Sequence, residues 1–312
     1  MKILFIDTTH PILKQKFENM GWQCDYFPDL DYQKVLTIIS NYEGVIIRSK
    51  INLDRNLLSV ASQLKFIGRV GAGMESIDIE AAQEYGIACF NSPEGNRDAV
   101  GEHAIGMLLA LFNNLYKANY EVKNGIWKRE ENRGIEIKGK TIGIIGYGNM
   151  GSSFAKKLYG FEANVIAYDK YKKNFSNQYV KEVNLQQLKT ESDIISLHVP
   201  LTEETKYMIN KIFIDTCSKP FYLINTARGQ VVNTHDLILG LKSKKIAGAA
   251  LDVIEYEENS FEQLAQFPPE FYELTRFSNV LLSPHIAGWT VESKFKLAEI
   301  LADKIINYMH VS

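Results

Sequence analysis

Apolar residues occur in short runs along the first third of the chain, separated by longer stretches in which apolar positions recur every three or four residues. The runs cover residues 3–6, 44–47, 66–67 and 87–90. Short apolar runs that alternate with helical periodicity are typical of parallel strands buried between helices. The pattern therefore predicts an α/β domain built on a parallel sheet.

A second series of apolar runs begins at residue 141 and predicts a second parallel sheet. Its runs cover residues 141–145, 164–168, 193–197, 221–224, 247–251 and 280–282. A chain of 312 residues exceeds a comfortable single core, which also favours two domains. No low-complexity segment separates the two series, so we expect the boundary to lie in a structured segment.

Residues 98–123 connect the two series and are predicted to form one long amphipathic helix. Val100, Ala104, Met107 and Leu111 recur at spacings of three and four residues. Asp98 is the expected N-cap, and the turn-rich residues before it suit a hinge. A further helical pattern over residues 290–308 is expected to return to the first domain.

The bulk composition excludes several classes of function. Apolar residues make up 46% of the chain, charged residues 23%, and the formal net charge is −2. These values argue against nucleic acid or a membrane surface as a partner. The longest apolar stretches are too short to cross a bilayer, and the N-terminus lacks a signal-peptide cleavage pattern. We therefore expect a cytoplasmic protein.

The three cysteines, Cys24, Cys89 and Cys217, are scattered without CxxC spacing. Neither a disulfide framework nor a metal site is indicated by that spacing. We expect them to be small buried thiols.

A glycine-containing segment after the run at 141–145 indicates a dinucleotide site. Gly146, Gly148 and Gly151 follow G-x-G-x-x-G spacing. The first glycine allows a tight turn after the strand, the second lets the backbone approach a pyrophosphate, and the third lets the next helix pack on the sheet. The N-terminus of that helix favours an anion, because its unpaired N–H groups and positive dipole end attract negative charge.

Such a glycine motif is weak alone, because glycines cluster in turns for purely steric reasons. Here an apolar run precedes it, a helical pattern follows it, and Asp169 closes the next apolar run. A carboxylate in that position accepts hydrogen bonds from the ribose diol and repels a 2′-phosphate. We therefore expect NAD, in preference to NADP, as the cofactor.

Five separated motifs together resemble the D-isomer-specific 2-hydroxyacid dehydrogenase family over nearly the whole chain. They are the glycine motif with Asp169, residues 198–202 (HVPLT), 225–229 (NTARG), 252–257 (DVIEYE) and 283–288 (SPHIAG). By this resemblance the fold is α/β, with two doubly wound parallel-sheet domains that are Rossmann-like and flavodoxin-like. The resemblance places an NAD-binding domain, residues 97–285, inside a discontinuous substrate domain, residues 1–96 and 286–312.

The resemblance also implies hydride transfer between NAD(H) and a 2-hydroxy or 2-keto acid, with three catalytic residues. His285 would donate the proton, because histidine exchanges protons near neutral pH. Glu257 would stabilise the imidazolium and orient its ring, while Arg228 would bind the substrate carboxylate and polarise the carbonyl group. Glu255 and Glu258 remain competitors for the role of Glu257.

A larger set of residues is implied to line the cofactor. The set is Val100, Gly146, Tyr147, Gly148, Asn149, Met150, Gly151, Asp169, His198, Pro200, Thr205, Thr226, Ala227, Arg228, Asp252, His285 and Gly288. Two of them have alternatives: His198 could satisfy local backbone, and Asp252 could form a turn at a strand end. His103, on the long helix beside apolar neighbours, is expected to be structural.

The same resemblance suggests where the substrate binds. Residues 70–74 resemble the family loop whose backbone N–H groups receive the substrate carboxylate. Arg48 and Ser49 close an apolar run and are similar to an Arg-Ser of 3-phosphoglycerate dehydrogenases, in which the arginine meets the phosphate. A merely exposed Arg48 is the alternative. The implied substrate-binding residues are Arg48, Ser49, Val70, Gly71, Ala72 and Gly73.

Some positions depart from the family and leave the substrate open. Glu258 stands where a proline usually follows the catalytic glutamate, residues 259–278 look longer than typical, and the bulky Trp289 follows the histidine motif. The leading expectation is 3-phosphoglycerate in serine biosynthesis, in a short form without a regulatory domain. The runner-up is reduction of glyoxylate, hydroxypyruvate or another 2-keto acid.

Two further expectations follow from the resemblance. An NAD(H)-sensing protein like the corepressors that share this scaffold is the alternative from another class. The helix predicted at 98–123 would carry a two-fold interface, so a homodimer is expected.

Overall fold

The computed structural model describes residues 1–257 and 267–311. These residues form two compact units. One unit contains residues 1–97 together with the C-terminal segment from residue 289, and the other contains residues 98–257 and 267–288.

The described strands and helices alternate along most of the chain. The strands are β1 (Lys2–Phe5), β2 (Gln23–Tyr26), β3 (Gly44–Ile47), β4 (Phe66–Arg69), β5 (Ala88–Phe90), β6 (Thr141–Ile145), β7 (Asn164–Tyr168), β8 (Lys181–Glu182), β9 (Ile194–Leu197), β10 (Phe221–Asn225), β11 (Ile246–Leu251) and β12 (Val280–Leu282). The helices are α1 (Pro11–Asn19), α2 (Tyr32–Ile38), α3 (Arg55–Val60), α4 (Ile79–Glu84), α5 (Arg97–Phe112), α6 (Leu115–Lys123), α7 (Asn149–Leu158), α8 (Leu185–Glu191), α9 (Lys211–Thr216), α10 (Thr234–Lys242), α11 (Pro269–Leu274) and α12 (Val291–Val311).

The first unit is a five-stranded parallel sheet in the order β2-β1-β3-β4-β5, which is the flavodoxin-like order. Successive strand residues point to opposite faces. Ile3 and Phe5 of β1 therefore pack with residues of α1 and α12, while Leu4 and Ile6 pack with residues of α2, α3 and α4. Both faces of the sheet are thus covered by helices.

The polar edge strand β2 is absent from the sequence prediction. Gln23 and Asp25 interrupt any apolar run there, and the strand is partly exposed because it has a neighbour on one side only. Periodicity finds strands that are buried on both faces, and β2 is not one of them.

The second unit is a seven-stranded parallel sheet in the order β12-β11-β10-β9-β6-β7-β8. From β8 to β11 this is the Rossmann order 3-2-1-4-5-6 with β6 as the first strand, and β12 adds a seventh strand. Apolar clusters cover both faces of the sheet. The predicted α/β class with two doubly wound parallel sheets is confirmed. The order reverses between β6 and β9, which is the point at which such sheets bind ligands.

The prediction of one long helix over residues 98–123 is wrong. The structure has two helices, α5 and α6, separated by a break at Asn113 and Asn114. Asn114 has a left-handed backbone with φ of 52°, which a continuing helix cannot contain and which asparagine tolerates better than most residues. Asp98 is not the N-cap either, because α5 begins at Arg97; its carboxylate lies 3.5 Å from Lys157 Nζ.

The three cysteine thiols differ in burial. Cys217 is buried, whereas Cys24 and Cys89 are only partly buried; burial raises the pKa of each thiol to about 11.

Among the helices in the described ranges, none combines the length and apolarity needed to cross a bilayer.

Candidate active site

Most of the predicted cofactor-binding and catalytic residues lie at the carboxyl ends of strands in the second unit. We call this region the strand-end site. It contains the loops that follow β6, β7, β9, β10, β11 and β12. Because these strands are parallel, their carboxyl ends share one edge of the sheet. Ligands of open α/β sheets bind at this edge.

Glycine is favoured at each of the three motif positions after β6 for a different structural reason. Gly146 has φ of +91°, and a Cβ there would lie 2.5 Å from the His198 carbonyl oxygen. Gly151 packs so closely that a Cβ would lie 2.1 Å from the Gly146 carbonyl oxygen. Gly148 is the N-cap of α7, and a Cβ there would meet no protein atom within 4 Å. Gly146 thus allows the turn, Gly151 allows the close packing of α7, and Gly148 leaves the N-terminus of α7 accessible.

Asp169 follows β7, and backbone groups hold its carboxylate in place. Its Oδ2 accepts from Tyr147 N–H at 2.8 Å, and its Oδ1 accepts from the N–H groups of Tyr171 and Lys172 at 2.9 and 2.8 Å. Partial burial would raise the pKa of Asp169, but these N–H donors bring it below its usual value. The carboxylate is therefore charged and fixed beside the glycine loop.

The loop after β9 carries a neutral histidine. His198 Nε2 lies 2.8 Å from Ser196 Oγ, and burial lowers the pKa of His198 to about 3. Further along the loop, Thr205 Oγ1 donates to the Pro200 carbonyl oxygen at 2.6 Å and accepts from Thr202 N–H at 2.8 Å. Pro200 and Thr205 are therefore tied to each other in one compact turn.

Glu257 and His285 form a hydrogen-bonded pair. The pair joins the loop after β11 to the loop after β12: Glu257 Oε2 lies 2.6 Å from His285 Nδ1. Glu257 Oε1 accepts from Ile254 N–H at 2.7 Å, which fixes the carboxylate from its other side. His285 has a left-handed backbone with φ of 55°, which a non-glycine residue rarely adopts. The pairing orients the imidazole so that Nε2 is the ring nitrogen on the far side from the carboxylate.

Glu255, one of the two competitors of Glu257, has a different hydrogen-bond partner. Glu255 Oε2 accepts from Thr234 N–H at 2.9 Å, at the start of α10, and so serves a helix terminus. Glu258 lies outside the described residues, as do residues 259–266, the first eight of the twenty in the segment expected to be unusually long.

Asp252, at the end of β11, holds the histidine loop. Its buried carboxylate accepts from the N–H groups of Ile286 and Ala287 at 2.9 and 2.8 Å and from Ser283 Oγ at 2.5 Å. His103 Nε2 lies 3.0 Å from Ser283 Oγ and 3.4 Å from Asp252 Oδ1. Burial would raise the pKa of Asp252, but these donors lower it. These contacts are those expected of a turn former at a strand end, and the predicted contact of Asp252 with the cofactor stays a prediction.

Arg228 lies in the loop after β10, partly buried. Its Nη1 donates to the Ala227 carbonyl oxygen at 2.6 Å. Asn225 stabilises this loop, because its Nδ2 donates to the Arg228 carbonyl oxygen and its Oδ1 accepts from Ala227 N–H, both at 3.0 Å. The sequence motif gives Asn225 no role of its own, although its side chain shapes the loop that carries Thr226, Ala227 and Arg228.

The remaining cofactor candidates have ordinary structural surroundings. Val100 is buried in α5, and the buried ring of Tyr147 stacks on Phe175 with centroids 4.6 Å apart. Asn149 and Met150 open α7, and Gly288 closes the histidine loop. Within residues 1–257 and 267–311, no three His, Cys, Asp or Glu side chains are grouped closely enough to hold a metal ion.

The six predicted substrate-binding residues all belong to the first unit. Arg48 and Ser49 follow β3, and Asp7 holds their turn: its Oδ2 accepts from the N–H groups of Arg48, Ser49 and Lys50 at 2.9, 3.1 and 3.3 Å. The Arg48 guanidinium lies 4.5 Å from the centre of the Trp289 ring. Sequence reasoning missed the role of Asp7, although an acidic residue directly after the apolar run 3–6 was a signal for it.

The loop after β4 carries the other four. Val70 N–H donates to the Ile47 carbonyl oxygen at 2.8 Å, and Gly71 N–H donates to the Arg69 carbonyl oxygen at 2.9 Å. These two N–H groups are therefore already engaged. Carboxylate binding by this loop stays a prediction, and the N–H groups of Ala72 and Gly73 are the ones in the loop to which it still applies.

Comparison with known proteins decides the family. The sequence model described as "D-isomer specific 2-hydroxyacid dehydrogenase, NAD binding domain" matches residues 105–287, more than half of the chain. The chain belongs to this family. It is 36% identical over 281 residues to a glyoxylate reductase from Thermofilum pendens, covering 88% of this chain and 80% of that protein.

Two other 2-hydroxyacid dehydrogenases resemble the chain over different shares of their own length. The chain is 35% identical to a D-3-phosphoglycerate dehydrogenase from Archaeoglobus fulgidus over 98% of its own length, but it spans only 57% of that protein. Among solved structures, a D-lactate dehydrogenase from Aquifex aeolicus complexed with NAD and lactic acid has a TM-score of 0.84 and 28% identity, covering 99% of this chain and 96% of that one.

The family's cofactor is NAD, and the strand-end site fits it. His198 Nδ1 and Thr226 Oγ1 are buried polar atoms without a hydrogen-bond partner within the described residues, and buried polar atoms are normally satisfied. Both belong to the set expected to line NAD. Gly148 leaves room for close approach at a helix N-terminus, where a pyrophosphate is favoured.

Alanine at Gly148 and at Gly151 is expected to have contrasting effects. Gly151→Ala should destabilise the protein by about 1–3 kcal/mol, because its Cβ would overlap backbone. Gly148→Ala should change the free energy of unfolding by less than about 1 kcal/mol, yet weaken NADH binding at least ~10-fold by blocking the pyrophosphate. Urea unfolding and NADH fluorescence titration measure the two effects. Wild-type NADH affinity in Gly148→Ala would contradict a pyrophosphate at this turn.

Proposed function

We propose that this protein is an NAD-dependent D-2-hydroxyacid dehydrogenase that interconverts a 2-hydroxy acid and the corresponding 2-keto acid. The observation that carries the proposal is the contact of 2.6 Å between Glu257 Oε2 and His285 Nδ1. A histidine oriented by a partly buried carboxylate is suited to donate and accept a proton at its other ring nitrogen.

Reduction of a 2-keto acid needs a proton for the carbonyl oxygen and a positive group for the carboxylate. In the proposal, His285 Nε2 donates the proton, and Glu257 stabilises the imidazolium form before transfer. Arg228 binds the carboxylate through its planar guanidinium and stabilises the negative charge that develops on the carbonyl oxygen. Asp169 would hold the adenosine ribose of a bound dinucleotide, whose nicotinamide would supply the hydride for C2.

The loops that carry these side chains follow adjacent strands. Arg228 follows β10, Glu257 follows β11 and His285 follows β12, and these strands are neighbours in the sheet. Asp252 anchors the His285 loop through two backbone N–H groups. Such anchoring supports the proposed roles, because a proton donor has to be held in position with respect to the carbonyl oxygen.

Within this class, we propose 3-phosphoglycerate as the substrate and serine biosynthesis as the pathway. Arg48 supports a phosphorylated substrate, because its turn is held by Asp7 and a guanidinium matches the geometry of a phosphate. The archaeal 3-phosphoglycerate dehydrogenase at 35% identity adds support.

The second candidate is reduction of glyoxylate or another unphosphorylated 2-keto acid. It is favoured by Trp289, whose ring covers one face of the Arg48 guanidinium at 4.5 Å. Stacking on an aromatic ring gives this guanidinium a favourable contact that does not require a phosphate. The glyoxylate reductase at 36% identity covers most of its own length in the comparison and supports the same candidate.

Initial rates of NADH oxidation with phosphohydroxypyruvate, hydroxypyruvate and glyoxylate test the function. Arg48→Ala is expected to raise KM for the phosphorylated acid by about 10- to 100-fold, which is the value of a charged hydrogen bond, and to leave KM for glyoxylate nearly unchanged. Arg55→Ala is the matched control, because Arg55 pairs with Glu84 on the surface of the same unit. An equal rise for all three acids would contradict a phosphate contact.

Activity confined to the unphosphorylated acids would select the second candidate. Tight NADH binding without turnover of any 2-keto acid would contradict the enzyme proposal and favour a nucleotide-sensing role.

We also propose a homodimer, with a cytoplasmic location. The side chains of Tyr116, Tyr120 and Trp127, in and just after α6, are 72%, 61% and 77% exposed. Large exposed aromatic residues close together are typical of protein–protein interfaces. A second copy of this chain is the proposed partner.

A further inference from the structure

Three lysines follow Asp169 within four residues. Lys170, Lys172 and Lys173 come directly after β7, in the segment that approaches the adenosine ribose in dinucleotide-binding folds. A basic residue in that segment is how such folds accommodate the 2′-phosphate of NADP. Repulsion by the Asp169 carboxylate therefore does not by itself explain a preference for NAD.

Two of the three lysine ammonium groups donate to backbone carbonyl oxygens. Lys173 Nζ donates to the Asp169 carbonyl oxygen at 3.2 Å, and Lys172 Nζ donates to the Tyr147 carbonyl oxygen at 3.4 Å. Lys172 Nζ also lies 5.1 Å from the centre of the Tyr147 ring. These contacts keep both ammonium groups against the glycine loop and the end of β7.

Lys170 is held by a carboxylate from another loop. Its Nζ lies 2.5 Å from Glu204 Oε1, and Tyr171 Oη donates to Glu204 Oε2 at 2.6 Å. Glu204 belongs to the loop after β9, next to the cofactor candidate Thr205. The ion pair therefore connects two loops of the strand-end site and engages both oxygens of Glu204.

We propose that Glu204 determines the choice between NAD and NADP. It withholds the Lys170 ammonium from a 2′-phosphate, and it places a second negative charge beside the two residues that follow Asp169. This inference rests on the proposed NAD site, but it does not depend on the substrate or on turnover.

The expected size of the effect follows from the exposure of the pair. The side chains of Lys170 and Glu204 are 54% and 50% exposed, so solvent screens their interaction. Release of such an ion pair is worth up to about fivefold in affinity, and removal of a like charge near the phosphate adds a similar factor. Glu204→Gln is therefore expected to tighten NADPH binding by roughly 3- to 20-fold.

The test is fluorescence titration of the purified full chain with NADH and NADPH in the absence of substrate. For Glu204→Gln, the Kd of NADPH should fall by about 3- to 20-fold, while the Kd of NADH should change by less than about twofold. Glu203→Gln is the matched control, because it makes the same change of charge at the preceding exposed residue. The double variant Lys170→Ala/Glu204→Gln should lose the part of the gain that comes from the released Lys170, up to about fivefold, and added salt should reduce the remainder.

Three results would overturn the inference: an unchanged Kd of NADPH in Glu204→Gln, an equal gain in Glu203→Gln, or an undiminished gain in the double variant that lacks Lys170. If the wild-type protein binds neither dinucleotide, the proposed NAD site itself fails. If the wild-type protein binds NADH but Glu204→Gln does not lower the Kd of NADPH, only the inference about Glu204 is overturned.

Discussion

Replacement of His285 by asparagine is expected to lower kcat for 2-keto acid reduction by about 10²- to 10⁴-fold, the usual contribution of a general acid. The affinity for NADH should change far less, because the cofactor loops after β6 and β7 are untouched. Asparagine is the substitute of choice, since it tolerates the left-handed φ of 55° at this position better than most residues do. The folded state should therefore be preserved, and the loss of rate should reflect the missing imidazole.

Steady-state rates, together with urea unfolding and NADH titration, measure this effect. His235→Asn is the matched control, because His235 is an exposed histidine in the first turn of α10 in the same unit. It should keep wild-type kcat. If His285→Asn kept more than about a tenth of the wild-type kcat, proton donation by this residue would be excluded, because general acids contribute far more than that.

Replacement of Arg228 by lysine is expected to lower kcat/KM for the 2-keto acid by about 10²- to 10³-fold, although the positive charge is kept. Lysine lacks the planar fork that binds a carboxylate with two parallel hydrogen bonds, and its single ammonium cannot also polarise the carbonyl group. Both kcat and KM should change, because the proposed contacts act on the bound substrate and on the developing charge.

The measurement is a full steady-state analysis of Arg228→Lys at several substrate concentrations. Arg276→Lys is the control, because Arg276 is an exposed arginine just after α11 in the same unit. It should be indistinguishable from wild type. A kcat/KM within threefold of wild type for Arg228→Lys would show that this position needs charge alone, and the proposed bidentate role would be withdrawn.

The positions of the buried strands were predictable from the sequence. Strands such as β3, β6 and β9 occur where the apolar runs predicted them. Their residues are buried by helices on both faces, so local composition carries the signal. The polar strands β2 and β8 have no such signal, and pairing with a neighbouring strand alone makes them strands.

The break between α5 and α6 shows where periodicity misleads. Apolar spacing continues through residues 98–123, and nothing in it marks an end. The turn at Asn114 depends on one backbone conformation that two asparagines permit but do not require. A helix boundary of this kind is chosen by packing, so the pattern alone predicted one helix.

The sequence by itself determined the α/β class, the glycine loop and the family motifs, because strand burial and the steric demands of glycine act over a few residues. The pairing of Glu257 with His285 while Glu255 serves α10, the anchoring of the histidine loop by Asp252, and the contact of Lys170 with Glu204 were decided only by the tertiary structure. Each of these contacts joins residues that are separated along the chain, and a side chain's partner depends on which strand ends the sheet order brings together.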